Sequence, residues 1–195
     1  MLSRRSVVLT LACTLLATQA FSADFFEPLQ PPRPYQVMVH RGAAMQAPEN
    51  TAPALERCIE EGFEWAEVDV RLTRDGKHVI FHDGEVDSKS NGSGSIKDLT
   101  LAEIKALDAG SWFSAKYAGQ RILALSECLN LAKGRINLYL DCKDIDPALL
   151  VEEVLAAGME KQVAVFDDLE VLARVREVSQ GRVPIMPKWH PDFGT

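Results

Sequence analysis

The chain has 195 residues, 47% of them hydrophobic and 25% charged, with a formal net charge of −7. That suits one globular domain with room for a small insertion. The acidic balance excludes a nucleic-acid backbone as partner and disfavours anionic lipid surfaces.

Residues 1–23 read as a secretory signal. Arg4 and Arg5 form a basic start, Val7 to Ala17 is apolar, and small residues near Ala20, Ser22 and Ala23 offer cleavage sites. The apolar run is too short to span a bilayer comfortably, so no stable membrane anchor is expected. Ser3-Arg4-Arg5-Ser6-Val7-Val8 also resembles a twin-arginine signal. The expected location is periplasmic or secreted, by either route. Cys13 belongs to the signal. Cys58, Cys128 and Cys142 remain, and an odd number argues against a full disulfide framework. One bridge is compatible with an oxidising compartment, but the spacing selects no pair. Cys142 reads as a small core residue rather than a nucleophile.

Residues 24–34 are a Pro-rich leader, expected to cross the outside of the domain. Tyr35 to His40 reads as the first strand, ending at Arg41-Gly42. Pro48-Glu49-Asn50-Thr51 precedes a helix in which Leu55, Cys58 and Ile59 recur at helical spacing, with Asn50 or Thr51 as its N-cap. Trp65 to Leu72 and His78 to His82 are strands joined by a turn at Asp75-Gly76. Gly84 to Asp98 is Ser- and Gly-rich, a long loop or the start of a small insertion. Leu99 to Leu107 is a helix capped by Thr100, and Ser111 to Gln120 is irregular and aromatic, placed to fold over a site.

Helices at Leu125 to Ala132, Pro147 to Ala157 and Leu169 to Ser179 then alternate with strands at Ile136 to Lys143, Gln162 to Phe166 and Val183 to Lys188. This alternation predicts an α/β protein with a parallel sheet. No GxGxxG or P-loop pattern points to a nucleotide fold.

The chemistry concentrates in Trp65 to Asp83. By alternation, Glu67 and Asp69 share one strand face, and buried like charges are costly unless a cation lies between them. A hard divalent metal would serve. The competing reading is an amphipathic edge strand with a solvated acidic face. His40, Glu67, Asp69, His82, Asp141 and Lys143 all fall at the ends of predicted strands and can point the same way. In a (β/α)8 barrel those ends converge on the active site. His78 reads as structural, Glu49 as a loop and first-turn residue, and Asp83 as positioning the following loop. Glu152-Glu153 reads as a solvated helix face, and His190 and Asp192 receive no role.

His40-Arg41-Gly42, Pro48-Glu49-Asn50-Thr51, and Glu67-x-Asp69-x-x-x-Thr73-x-Asp75-x-x-x-Val79-x-x-His82-Asp83 together resemble the glycerophosphodiester phosphodiesterase family. The resemblance implies a TIM-type (β/α)8 barrel that hydrolyses small glycerophosphodiesters to an alcohol and glycerol 3-phosphate. It implies one divalent metal, Mg²⁺ or Ca²⁺, on Glu67, Asp69 and Asp141. Asp141 stands where the family usually has Glu, so the metal could bind differently; a related sphingomyelinase D branch resembles this chain in using Asp. His40 and His82 would be the general acid and base, Arg41 and Lys143 would hold the phosphate, and the substrate's glycerol 2-hydroxyl would be the nucleophile. Residues from about 84 to 113 resemble the family's small insertion.

A complete barrel takes about 250 residues. Residues 35–195 therefore read as a partial barrel domain with about six of eight strands. Three expectations follow: a fragment of a longer enzyme, a natural truncation that closes as a homodimer, or an inactive relative that binds phosphodiesters or serves in assembly.

Overall fold

The computed structural model describes residues 24–188. The signal-like segment 1–23, with Cys13, and the C-terminal His190 and Asp192 lie outside the described residues. Strand β2 (Trp65–Leu72) is central, pairing in parallel with β1 (Met38–Val39) on one side and β4 (Asn137–Cys142) on the other. The parallel path continues to β5 (Val163–Asp167) and β6 (Ile185–Pro187).

Alternation explains the layering. Ala66, Val68 and Val70 of β2, with Leu138, Leu140 and Cys142 of β4, share one buried cluster with residues of four helices. These are α1 (Ala52–Glu60), α3 (Leu125–Ala132), α4 (Pro147–Ala157) and α5 (Leu169–Val178). Leu55, Leu129, Leu150 and Leu172 are their fully or almost fully buried contributions. Each such side chain stabilises the fold by about 1.5–3 kcal/mol relative to exposure. The ends of α4 are set locally. The Asp146 carboxylate accepts the N–H groups of Ala148 and Leu149, Pro147 starts the helix, and Gly158 stops it in the left-handed conformation at φ 66°. Cys58, Cys128 and Cys142 are buried and unpaired, and burial pushes all three thiols up.

The strand expected at His78 to His82 forms as β3 (His78–Ile80), but it runs antiparallel to β2 and lies off the parallel path. The connection dictates this. A parallel strand needs a crossover of a dozen residues or more, and the turn from Thr73 to Lys77 provides only a hairpin. Five of the six strands therefore follow the parallel path. The segment after β3 shares an apolar cluster with Val79 of that strand, made of Phe81, Val86, Ile96, Ile104, Ala109 and Ile122, which closes only beyond Phe113. Within it, helix α2 (Leu101–Ala106) carries a capping box between Thr100 and Glu103. Asp75 ties the hairpin turn to this helix by accepting the Leu101 N–H at 2.9 Å.

The leader stays on the outside of the domain, exposed or half-buried throughout, and crosses the end of the sheet where β2 and β4 begin. Phe25 meets Trp65 edge-on at 4.8 Å, and Asn137 Nδ2 donates to the Phe26 carbonyl. The cause is Glu64, which is fully buried just before β2. Burial pushes its carboxyl up, but the Arg33 guanidinium at 2.6 Å and the Val37 N–H outweigh that and hold it low. Among the described residues, no helix is long and apolar enough to cross a membrane.

His78 ties the hairpin to α4. Its Nε2 accepts the Asp146 N–H at 3.1 Å, so its Nδ1 carries the proton donated to Glu153 Oε2 at 2.6 Å. The expected structural reading of His78 matches this geometry, but Glu153 belongs to the tie rather than to a solvated face. Replacing His78 with Ala leaves a cavity and two unpaired polar groups. A loss of about 2–4 kcal/mol is expected, measured as a shift in urea midpoint. A shift below half a kcal/mol would contradict the tie.

Candidate functional site

Strand pairing builds the site. In the β2–β4 ladder Asp69 is opposite Asp141 and Glu67 is opposite Tyr139. Glu67 and Asp69 already share a face, so three carboxylates converge, with one ligand-capable atom from each within 4.8 Å of the others. The strand is hydrogen-bonded on both edges, and Glu67 and Asp69 are 5% and 0% exposed. The solvated-edge alternative is therefore excluded.

Three oxygens of the cluster, Glu67 Oε1, Asp69 Oδ1 and Asp141 Oδ1, are buried without a hydrogen-bond partner. Lys143 Nζ is 2.6 Å from Asp141 Oδ2 and 3.3 Å from Asp69 Oδ1, the latter an ion pair without hydrogen-bond alignment. Lys143 and the Arg41 guanidinium, 3.6 Å from Asp69, are two cations against three carboxylates. The surplus shows at Glu67: burial first, then repulsion from Asp69 and Asp141, raises its pKa to about 7. Hard, partly unpaired oxygens with surplus negative charge fit a divalent cation of the Mg²⁺ or Ca²⁺ type.

The loop after β1 packs around the cluster. Arg41 N–H donates to Glu67 Oε2 at 2.6 Å, and its guanidinium reaches Glu49 at 3.0 Å and Asp69 at 3.6 Å. Arg41 adopts φ 55°, a left-handed conformation uncommon for a side-chain-bearing residue. Gly42 follows at φ 70°, and a Cβ there would come within 3.0 Å of Ala54 Cβ and 3.1 Å of its carbonyl carbon. Glycine is therefore required at this close approach.

Asn50 has a function that its capping propensity hid. Its Nδ2 donates to Asp69 Oδ2 at 2.7 Å, and its Oδ1 accepts the Asp69 N–H at 3.1 Å. Thr51 takes the N-cap position, but its hydroxyl donates to the Pro48 carbonyl instead of capping. In the sequence this loop was marked only because Pro48-Glu49-Asn50-Thr51 is one of the motifs that carry the family resemblance.

The two histidines differ. His40 Nε2 is 3.8 Å from Glu67 Oε2, and its side chain is 74% exposed. His82 arrives on the antiparallel hairpin rather than on a parallel strand end. Its Nδ1 faces Asp83 Oδ1 at 2.7 Å, while Asp83 Oδ2 accepts from Ser88 at 2.5 Å. The Ser88 hydroxyl and then His82 hold the Asp83 carboxyl below its ordinary range. Asp83 therefore positions both the loop and the ring, leaving His82 Nε2 free for proton transfer. His82 lines a small cavity with Glu49, Asn50, Ala109 and Lys89 of the insertion.

The family model for glycerophosphoryl diester phosphodiesterases matches residues 40–193. A glycerophosphodiester phosphodiesterase of Caldanaerobacter subterraneus subsp. tengcongensis is 50% identical over 95 residues, covering 49% of this chain and 39% of that one. The crystal structure of an Agrobacterium tumefaciens glycerophosphodiester phosphodiesterase superimposes with a TM-score of 0.71 at 32% identity, over 74% of this chain and 63% of that one. An Oleispira antarctica phosphodiesterase, solved with the product sn-glycerol-3-phosphate, gives 0.65 at 32% identity, over 78% and 64%. In each case the match spans less than two thirds of the relative's length.

The burial of Glu67 has a pH signature. Without metal, the folded state keeps the Glu67 proton up to about pH 7, whereas an ordinary glutamate loses it near 4.5. Stability should therefore be greatest below pH 4.5 as far as this group is concerned, and fall between 4.5 and 7 by at most about 3 kcal/mol. Metal binding needs the ionised form and should strengthen across the same window. Glu67→Gln is expected to flatten this part of the profile in chelator, read by urea unfolding at pH 5 and pH 7.5. An unchanged difference between the two pH values would show that other groups set it.

Proposed function

The chain belongs to the glycerophosphoryl diester phosphodiesterase family, and on that premise we propose that it is an exported, metal-dependent hydrolase of glycerophosphodiesters. The observation that carries the reading is the cluster of buried Glu67 and Asp69 with half-buried Asp141, and its unpaired oxygens. Arg41, Lys143, His40 and His82 surround it. Export rests on the signal-like residues 1–23.

A phosphodiester is anionic, and charge builds on its oxygens as it reacts. Arg41 and Lys143 are the cations at the cluster, and they would bind the phosphoryl oxygens. Lys143 is paired with Asp141 and Asp69, which holds its ammonium at the cluster. A divalent ion on Glu67, Asp69 and Asp141 would supply Lewis-acid stabilisation of that charge. His40, beside Glu67, takes the proton of the glycerol 2-hydroxyl as that oxygen bonds to phosphorus. The bond from phosphorus to the alcohol oxygen breaks, and His82, bordering the insertion, gives that oxygen a proton. Water then opens the cyclic phosphate with the proton transfers reversed, leaving glycerol 3-phosphate. No Ser or Cys nucleophile is needed, and the three cysteines are buried.

The test is release of glycerol 3-phosphate from a glycerophosphodiester, with Mg²⁺, with Ca²⁺ and with chelator. Turnover should require a metal. Glu67→Gln and His82→Gln should each lose a hundredfold or more in kcat, on the order expected for acid–base and electrostatic groups. Turnover that survives both chelator and Glu67→Gln would defeat the proposal.

A further inference from the structure

The insertion places a cation on the wall of the small cavity that His82 lines. Lys89 Nζ is 4.0 Å from the centre of the Trp112 ring and 3.9 Å from Glu49 Oε2. Trp112 is held by donating its indole N–H to the Ala109 carbonyl at 2.9 Å. Ala109, Lys89, Glu49 and His82 line one cavity. Because His82 is assigned the proton to the leaving oxygen, the alcohol would leave along this wall. Glu49 is shared between Arg41 at 3.0 Å and Lys89 at 3.9 Å, so it does not by itself neutralise the Lys89 ammonium.

We propose that Lys89 and Trp112 set the choice of alcohol, favouring an uncharged polyol over a quaternary ammonium such as choline. The inference rests on the phosphodiesterase reading above. An aromatic face is the natural seat for a quaternary ammonium, but here Lys89 already occupies the Trp112 face. An incoming choline would meet a like charge, whereas a polyol can donate hydroxyls to Glu49 without that penalty. The acidic residues nearby do not reverse the argument. Asp83, Glu85 and Asp87 line a separate hollow. Asp83 is engaged by His82 and Ser88, and Asp87 accepts the Gly94 N–H.

The experiment compares kcat/KM for glycerophosphoglycerol and glycerophosphocholine in wild type, Lys89→Met and the Lys89→Met/Trp112→Leu double variant. Wild type should prefer the glycerol ester by about tenfold. Lys89→Met should raise choline ester turnover until the preference disappears or inverts, because the ring face is freed. Adding Trp112→Leu should remove that gain. A wild-type preference for choline, or a ratio unmoved by Lys89→Met, overturns the proposal. If wild type turns over neither ester, the hydrolase reading fails separately. Calorimetric binding of the same two esters then decides: tighter choline ester binding in Lys89→Met supports the subsite, and unchanged or undetectable binding overturns it.

Discussion

Three carboxylates brought together, two of them buried and the third half-buried, are the constraint on which the rest of this structure depends. Glu67 and Asp69 are forced onto one face by strand alternation, and the parallel register adds Asp141 directly across from Asp69. An apolar residue at any of these positions would fold more easily. The cost is met by surrounding polar groups, each with a traceable origin. The β1 loop supplies Arg41 and Asn50, and the end of β4 supplies Lys143. The left-handed backbone at Arg41 is what turns its N–H toward Glu67 while its guanidinium reaches back to Glu49 and Asp69. Gly42 beside it is the only residue type that clears Ala54. The strain in this loop and the charge in the strand are thus two sides of one arrangement.

That arrangement separates rigidity from adjustability. The carboxylates are on the two strands at the centre of the sheet, inside the hydrogen-bonded ladder, where a small displacement would break several bonds at once. The histidines are at the margin. His40 is largely solvent-facing, and His82 is on a hairpin oriented by a neighbouring carboxylate. Proton transfer needs groups that can approach and withdraw by fractions of an ångström, whereas a cation site needs fixed oxygens.

Much of this was legible in the sequence because local physics decided it. The alternation in Trp65 to Leu72, the Pro147 start and Gly158 stop of α4, and the capping box at Thr100 each depend on a few neighbouring residues. The parallel path and the convergence of His40, Glu67, Asp69 and Asp141 followed from repeating those units. What was not legible depended on distant partners. Asn50 has the same side chain whether it caps α1 or holds Asp69, and only the tertiary approach of β2 decides. Glu153 looked solvated because its own helix gives no hint that His78 reaches it from another element. The leader was legible as external, but its course over the end of the sheet was not, because that depends on buried Glu64 pairing with Arg33. The sense of β3 was the intermediate case: the short turn implied a hairpin, but counting it as one more wall strand passed over what that turn means.

The hairpin explains where the fold can vary without disturbing its charge. Strands on the parallel path are locked in register by helices packed on their outer face, so a long insertion between them would have to leave that register unchanged. Among the described residues β3 is off the path, laddered to β2 and joined by an isolated bridge from Val79 to Ala124. Its turn is pinned to α2 by Asp75, and its start is pinned to α4 by His78. With the hairpin held at its turn and at the start of β3, the segment between β3 and α3 can build a separate apolar cluster and present Lys89, with Trp112 against it, beside His82. A change in that segment can alter which alcohol is accepted while the carboxylates, buried one strand away, keep their geometry.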